Sequence, residues 1–470
     1  MSRCNGASKA FAKKGRRTSS LKKVLCGVTD GSAQSSVTRL QNWSSTENNN
    51  NNAYNVNFSN GNSNNNNKSN TNQVRAVRAL WQFDLFSQPI PLSDFFEAYF
   101  ECRRKKRGTY NALQFEVDYE RRLIELCERV NAGIYYPSKS IAFIIDKPVK
   151  REVFAADFSD RIIHHLIIGK LNHLFEKCFI NDSYSCRPGK GVHYAVKRLD
   201  HFIRSCSENY TRDCYILKLD IQGFFMHINK NLLGKRLASF IGERYNGLDK
   251  MVILDLVDKI VHHNPVNDCR IKSLPSAWDG LPVTKSLFAT PQDCGLPIGN
   301  LTSQVFANFY MNPFDHFMKH ELGLRYYGRY VDDFVIVHKD KEYLKALIPK
   351  IRAFLKSELC LTLHPDKVYL QHYAKGVKYL GVVLKPYRKY IANRTLGNMY
   401  DVICKYNGQG LPFSPNLKKA FMSSMNSYLG ILSHYHSYNM RRKLVYFDLS
   451  SKWLNRIVVK NHIRKIRLNR

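Results

Sequence analysis

Three aspartates stand at the ends of apolar runs in a chain that is otherwise strongly basic. Asp220 closes Tyr215-Ile216-Leu217-Lys218-Leu219 and is followed by Phe224 and Phe225, while Asp332 and Asp333 separate the run 325–330 from the run 334–338. Successive side chains of a regular strand point to opposite faces, so adjacent aspartates share one site only at a bend. A hairpin turn at Tyr330-Val331-Asp332-Asp333 would supply that bend. If the strand ending at Asp220 lies beside it, three carboxylates converge. Hard oxygen donors of this kind suit magnesium, and two such ions a few ångströms apart activate a 3′-hydroxyl and stabilise a leaving pyrophosphate in an in-line displacement. An Asp-Asp pair in a turn is by itself ordinary turn chemistry, so its surroundings decide.

Those surroundings are basic. The 470 residues include 72 Lys or Arg against 38 Asp or Glu, a formal charge of +34. Residues 1–40 hold nine basic and one acidic residue, and residues 441–470 hold ten and one. Even the stretch 81–440 keeps +15. This excludes an acidic or neutral housekeeping domain and suits a phosphate-rich partner; a ribosome-associated protein or an enzyme with a basic tail has the same balance. Hydrophobic residues make up 44% and aromatics 12%, enough to bury cores in most of the chain. The twelve cysteines form no CxxC pair, which fits neither a zinc ribbon nor a disulfide framework and suits a reduced, cytoplasmic setting. No apolar run of spanning length and no secretory h-region occurs, so no membrane association is expected.

The elements that would hold the aspartates follow from periodicity. Helical patterns cover 113–132, 157–177, 248–263, 301–320 and 341–359; strand patterns cover Ile141 to Ile145, Cys214 to Leu219, Tyr326 to Tyr330, Phe334 to His338 and Val377 to Leu384. Strands and helices mixed with long-range connections indicate an α+β domain with helices behind a sheet. After Pro386 the pattern reads as helical, ending in an amphipathic stripe of Trp453, Ile457, Ile463 and Ile466 among Arg and Lys, either a nucleic-acid or partner face or the core of a small helical domain. From Asn42 to Asn72, 16 of 31 residues are asparagine. Such a segment builds no core and is expected to be disordered, with some tendency to pair as strands.

With these motifs in order, the chain resembles reverse transcriptases, collinearly over roughly residues 135–390. Lys150-Arg151 with Asp157 to Arg161, and Ser185 to Gly191, are similar to the two fingers motifs. Asp220 to Phe225 resembles the first palm motif, Gly295 to Gln304 the nucleotide-adjacent helix motif, Tyr330 to Asp333 the paired-aspartate motif, and Lys367 and Tyr379-Leu380-Gly381 the last two palm elements. The resemblance implies a right-hand polymerase with fingers, an antiparallel palm sheet backed by helices, and a short helical thumb. It implies two Mg2+ ions on Asp220, Asp332 and Asp333, with the carbonyl of Ile221 as a further ligand. Lys150, Arg151 and Arg187 would hold the triphosphate, and Phe225 would exclude a 2′-hydroxyl by bulk. Ile298 and Gly299 would border the nucleotide, Lys367 would either protonate the leaving pyrophosphate or face solvent, and Tyr379, Leu380 and Gly381 would form a primer-gripping turn.

Ile298-Gly299 followed by Ser303-Gln304 resembles the enzymes of diversity-generating retroelements. Isoleucine supplies shape where a glutamine would supply a hydrogen bond, in keeping with the adenine-directed errors that this resemblance implies. Asparagine codons begin with two adenines, so residues 41–80 are expected to be a template repeat read in frame behind a basic, disordered leader at 1–40. Fingers are expected at 81–210, palm at 211–390 with a helical insertion at about 229–290, and thumb at 391–470. The implied partners are an RNA template, a DNA or RNA primer, dNTPs and a small helical accessory protein. A retron-type or phage-defence enzyme is the alternative of the same class, and a non-catalytic RNA-binding scaffold is the alternative of another.

Overall fold

The computed structural model describes residues 41–47, 52–57, 63–67, 88–104, 108–146 and 149–469, and the chain divides into two compact units, 1–82 and 83–470. In the first unit, β1 (Gln41–Glu47), β2 (Asn52–Asn57) and β3 (Ser63–Asn67) form an antiparallel sheet in that order. Gln41 pairs with Asn57 and Asn52 with Asn67. The described parts of the asparagine-rich stretch are therefore paired strands, and the expectation of disorder is corrected there. Trp43, Thr46, Tyr54 and Val56 are strand formers spaced among the asparagines. The leader 1–40 lies outside the described residues.

The second unit opens with α1 (Leu92–Arg103), α2 (Tyr110–Glu116) and α3 (Tyr119–Asn131), whose apolar faces share one core with a long helix further on. Between them and that helix, β4 (Ser140–Ile145) and β5 (Arg151–Ala155) pair antiparallel. Helix α4 (Phe158–Cys178) starts where the Asp157 carboxylate accepts a hydrogen bond from the Ser159 amide at 3.0 Å, an N-cap. Next come α5 (Val192–Cys206), β6 (Tyr215–Leu219), the single turn α6 (Phe224–His227), and the helix pair α7 (Lys230–Arg244) and α8 (Lys250–His262). Strand β7 (Cys269–Ile271) then joins β4 in parallel. Helices α9 (Leu301–Tyr310) and α10 (Asn312–His316) lead to β8 (Tyr327–Tyr330), β9 (Asp333–His338), α11 (Lys341–Leu359) and β10 (Tyr369–His372).

The central sheet has the order β10-β6-β9-β8 with every pair antiparallel. Its alternation shows that both faces are covered. Leu217, Leu219, Phe334 and Ile336 enter the large helical core, whereas Ile216, Val335 and Val337 enter a second core with α5 and the strands that follow. These strands are β11 (Val377–Tyr379), β12 (Val382–Lys385) and β13 (Arg388–Ile391). The single strand expected over Val377 to Leu384 is thus a hairpin, turned by Leu380 and Gly381 at φ +47° and +83°. Two positive φ values suit the twist of a two-residue hairpin.

The C-terminal part has its own core. Helices α12 (Asn393–Asn407), α13 (Pro415–Leu432), α14 (Tyr438–Tyr446) and α15 (Ser451–Leu454) surround Trp453, whose ring stacks at 3.9 Å on both Phe413 and Phe421. The chain does not stay helical to its end. β14 (Ile457–Lys460) and β15 (Lys465–Leu468) form a hairpin around Asn461, His462 and Ile463, all left-handed. Ile457, Ile463 and Ile466 do face the core, but from strands and a turn. Their spacing also fits a helical stripe, which is why the periodicity misled. Helix-covered strands, a four-stranded antiparallel palm sheet and a separate C-terminal bundle make a right-hand polymerase architecture of the α+β class.

Candidate active site

The aspartates come together as their strands do. Leu219 lies opposite Phe334 in the ladder between β6 and β9, and continuing the register by one residue places Asp220 across from Asp333. On the other side, Tyr330 pairs with Asp333, so Val331 and Asp332 form the hairpin turn and Asp333 opens β9. Val331 sits at φ +58°, a strained conformation for a β-branched residue. Ile221 bridges to Leu363, and the Asp220 carbonyl accepts the His364 amide at 2.8 Å, which fixes the end of β6 from the other flank.

The site is electrostatically loaded. Burial, then the charges of Asp220 and Asp333, push the Asp332 carboxyl up to about 7. Asp333 is also raised, chiefly by burial, with Lys218 pulling against it. Lys218 Nζ lies 3.1 Å from Asp333 Oδ1, and Lys367 forms an ion pair with Asp220 Oδ2. Two lysines thus stand on two of the three carboxylates. The donors are hard oxygens with excess buried negative charge, which fits a divalent cation such as magnesium. Among the described residues no group of three or more His, Cys, Asp or Glu forms a metal-holding cluster. Asp220, Asp332 and Asp333 would therefore hold an ion only with further oxygens from water or a nucleotide, the usual habit of magnesium.

The basic candidates separate. Lys150 and Glu152 point the same way from neighbouring positions, and both bind the segment 275–289. Lys150 Nζ donates to the carbonyls of Ala277 and Asp279 at 3.0 and 2.7 Å, and buried Glu152 accepts from Trp278, Ser286 and the Leu287 amide. Arg151, on the alternate side, is exposed and close enough to Tyr330 to oppose the rise that burial gives its phenol. Arg187 is not a free cation. It is buried, pairs with both Glu176 oxygens at 3.0–3.1 Å, and donates to the carbonyls of Ile180 and Ser183. The expectation that it holds a triphosphate is corrected: every edge of its fork is engaged in bracing the loop after α4.

Phe225 and Ile298 border one small apolar cluster. Both pack against the cluster formed by Ala142, Phe154, Met226 and Leu287, and the Phe225 carbonyl accepts the Leu296 amide at 2.9 Å. The Ile298 carbonyl accepts the Phe154 amide at 3.0 Å, tying β5 to the entry of α9. Gly299, at φ +126°, is required there, since a Cβ would lie 2.9 Å from Val153 Cγ1 and 3.3 Å from the Phe154 carbonyl. Tyr379 is buried, and among the described residues its hydroxyl has no hydrogen-bond partner; burial, then Asp333, raises its pKa. Leu380 and Gly381 form the turn beside it, and the Gly381 carbonyl accepts the Ala392 amide at 2.9 Å.

Lys218 escaped the sequence reading because it is one charge inside an apolar strand. The signal was its place, two residues before Asp220 on an alternating face. Arg329 escaped it too, as an arginine in a basic chain.

The profile of the family described as reverse transcriptase (RNA-dependent DNA polymerase) matches residues 150–384, half of the chain. Protein YkfC of Escherichia coli (strain K12) is 24% identical over 255 residues, which span 47% of this chain and 60% of that protein. Among solved structures, apo telomerase from Candida tropicalis truncated from its C-terminal domain superposes with a TM-score of 0.38 and 14% identity, covering 53% of each chain. Telomerase from Candida albicans in complex with a TWJ fragment of telomeric RNA gives 0.40 and 11%, covering 71% of this chain and 62% of that one. With half its length matched and the paired aspartates seated beside Asp220, the chain belongs to the reverse transcriptase (RNA-dependent DNA polymerase) family.

Proposed function

We propose that this chain extends a primer on an RNA template, adding dNTPs to a 3′-hydroxyl. The observation that supports this best is the meeting of Asp220 with the turn bearing Asp332 and Asp333 at one end of the central sheet. Asp220, Asp332 and Asp333 would hold divalent cations, which supply charge neutralisation at the entering and leaving oxygens when bound. Lys367, which pairs with Asp220, would donate a proton to the departing pyrophosphate. Arg151, whose charge acts on Tyr330 of the hairpin, would meet the triphosphate, and Phe225 would exclude a 2′-hydroxyl by bulk. Primer extension on a defined RNA tests this, comparing wild type with Asp332→Ala. Loss of incorporation by about 1,000-fold or more is expected from removing a metal-holding carboxylate; equal incorporation by the two proteins ends the assignment.

Within that function, the enzyme is read as one that diversifies a target gene by miscopying template adenines. Ile298, with its neighbours Ser303 and Gln304, and the asparagine-rich stretch 41–80 support the narrower reading. Restoring glutamine at Ile298 should lower errors opposite template adenines when cDNA is sequenced, and should also lower stability, because an amide enters an apolar nest. An unchanged error spectrum would detach Ile298 from fidelity. A small helical accessory protein and a structured RNA are the partners proposed for the basic surfaces.

A further inference from the structure

Arg329 and Asp315 form an ion pair in which both side chains are 0% exposed. Arg329 Nε and Nη2 reach the two Asp315 oxygens at 2.8 and 2.6 Å. The Tyr327 hydroxyl donates to Asp315 Oδ1 at 2.7 Å. The remaining donors of the guanidinium go to three places: the Val331 carbonyl at 2.8 Å, Asn308 Oδ1 at 3.3 Å and Ser183 Oγ at 3.2 Å. An arginine has five N–H bonds, and here each has an acceptor. One acceptor is not a side chain of the core but the carbonyl of the strained turn residue that directly precedes Asp332.

We propose that Arg329 is a positioning residue that clamps the Val331 peptide and thereby sets the place of the Asp332 carboxylate. It touches neither substrate nor the aspartates themselves. Stability does not call for such a pair, because a fully buried ion pair is commonly replaced by packed apolar residues without loss. The turn does call for it: Val331 holds a left-handed φ that relaxes unless something over-determines it. Arg329 also joins that turn to the loop carrying Ser183 and, through Asn308, to α9, so three elements share one side chain.

The inference rests on the polymerase reading of the site, and its test keeps the two apart. Two variants are compared with wild type: Arg329→Lys, which keeps a charge for Asp315 but loses the fork, and the triple change Arg329→Met, Asp315→Leu, Tyr327→Phe, which replaces the network by apolar side chains. Three quantities are read: melting temperature, the split between primer-template Kd and kcat, and hydrogen exchange of the segment 328–334. The clamp requires that kcat fall roughly 100-fold in both, the scale of a misplacement near 1 Å, with Kd within about 2-fold. It requires exchange in 328–334 roughly 10-fold faster while α11 is unchanged. The triple variant should regain the melting temperature without regaining the rate. A rate that recovers with the melting temperature, or unchanged exchange in Arg329→Lys, overturns the clamp. Should the triple variant not fold, Arg329→Lys alone decides by the same readings; should wild type itself not extend a primer, the polymerase reading fails and exchange still decides the clamp.

Discussion

Asp332 bears the cost of its position. A carboxylate pushed up to about 7 by burial and by two neighbouring aspartates opposes folding in the absence of a cation. Asp332→Asn should therefore raise the melting temperature of metal-free protein by about 1–3 °C while abolishing incorporation, and magnesium should raise the wild-type value more than the variant's. Differential scanning fluorimetry with and without magnesium reads both; a variant that melts lower than metal-free wild type would contradict the repulsion. Asp160 carries a similar penalty. Its carboxylate accepts from the Tyr135 hydroxyl at 2.9 Å and the Ser138 amide at 2.8 Å, yet burial outweighs these and raises it from 3.8 to about 6. The folded pKa exceeds the unfolded one, so the native state takes up the extra proton between about pH 4 and 6. Stability falls as pH rises through that window, by on the order of 3 kcal/mol once the group is ionised. Asp160→Asn should flatten this fall, read as the difference in urea midpoints between the two proteins from pH 4 to 7. The three aspartates were legible in the sequence because charge at the end of an apolar run is rare; the engagement of Arg187 and the burial of Asp160 were not, since both depend on partners that only the folded chain supplies.

At the scale of elements, β5 and the entry of α9 are joined by a backbone hydrogen bond from the Phe154 amide to the Ile298 carbonyl. Gly299→Ala would force a left-handed φ on alanine and drive its Cβ toward Val153 and the Phe154 carbonyl. The expected result is a loss of roughly 1–3 kcal/mol together with a higher KM for dNTP, measured by urea unfolding and steady-state extension. Retention of both would mean that the joint does not shape the nucleotide site. The helices α4, α8 and α11 fall within a residue or two of their sequence patterns, α8 and α11 because an amphipathic helix declares one face, and α4 because its apolar residues, buried on most sides, run too long for a strand. The β11–β12 turn and the C-terminal hairpin were not, because Leu380, His462 and Ile463 adopt left-handed backbone that their side chains do not announce. Tertiary packing overrode local preference at each of them.

At the scale of the whole molecule, charge and chemistry are separable. Residues 1–82 form one compact unit and hold twelve basic and two acidic residues, which leaves +24 on the unit that carries all three aspartates. Charge sets how tightly and how salt-dependently a polyanion is held, with log K falling in proportion to the number of phosphates neutralised; the geometry at Asp220 and the β8–β9 turn sets the rate. Removing residues 1–82 should therefore leave kcat within about 2-fold, because no site residue is lost, while primer-template affinity weakens at low salt. The slope of log K against log salt should become shallower by one unit or more, on the order of the phosphate contacts given up. Fluorescence anisotropy across a salt series and single-turnover extension measure the two quantities on the same preparation. A fall in kcat with an unchanged slope would reverse the assignment, placing the first unit in the chemistry and leaving the grip on nucleic acid to the second.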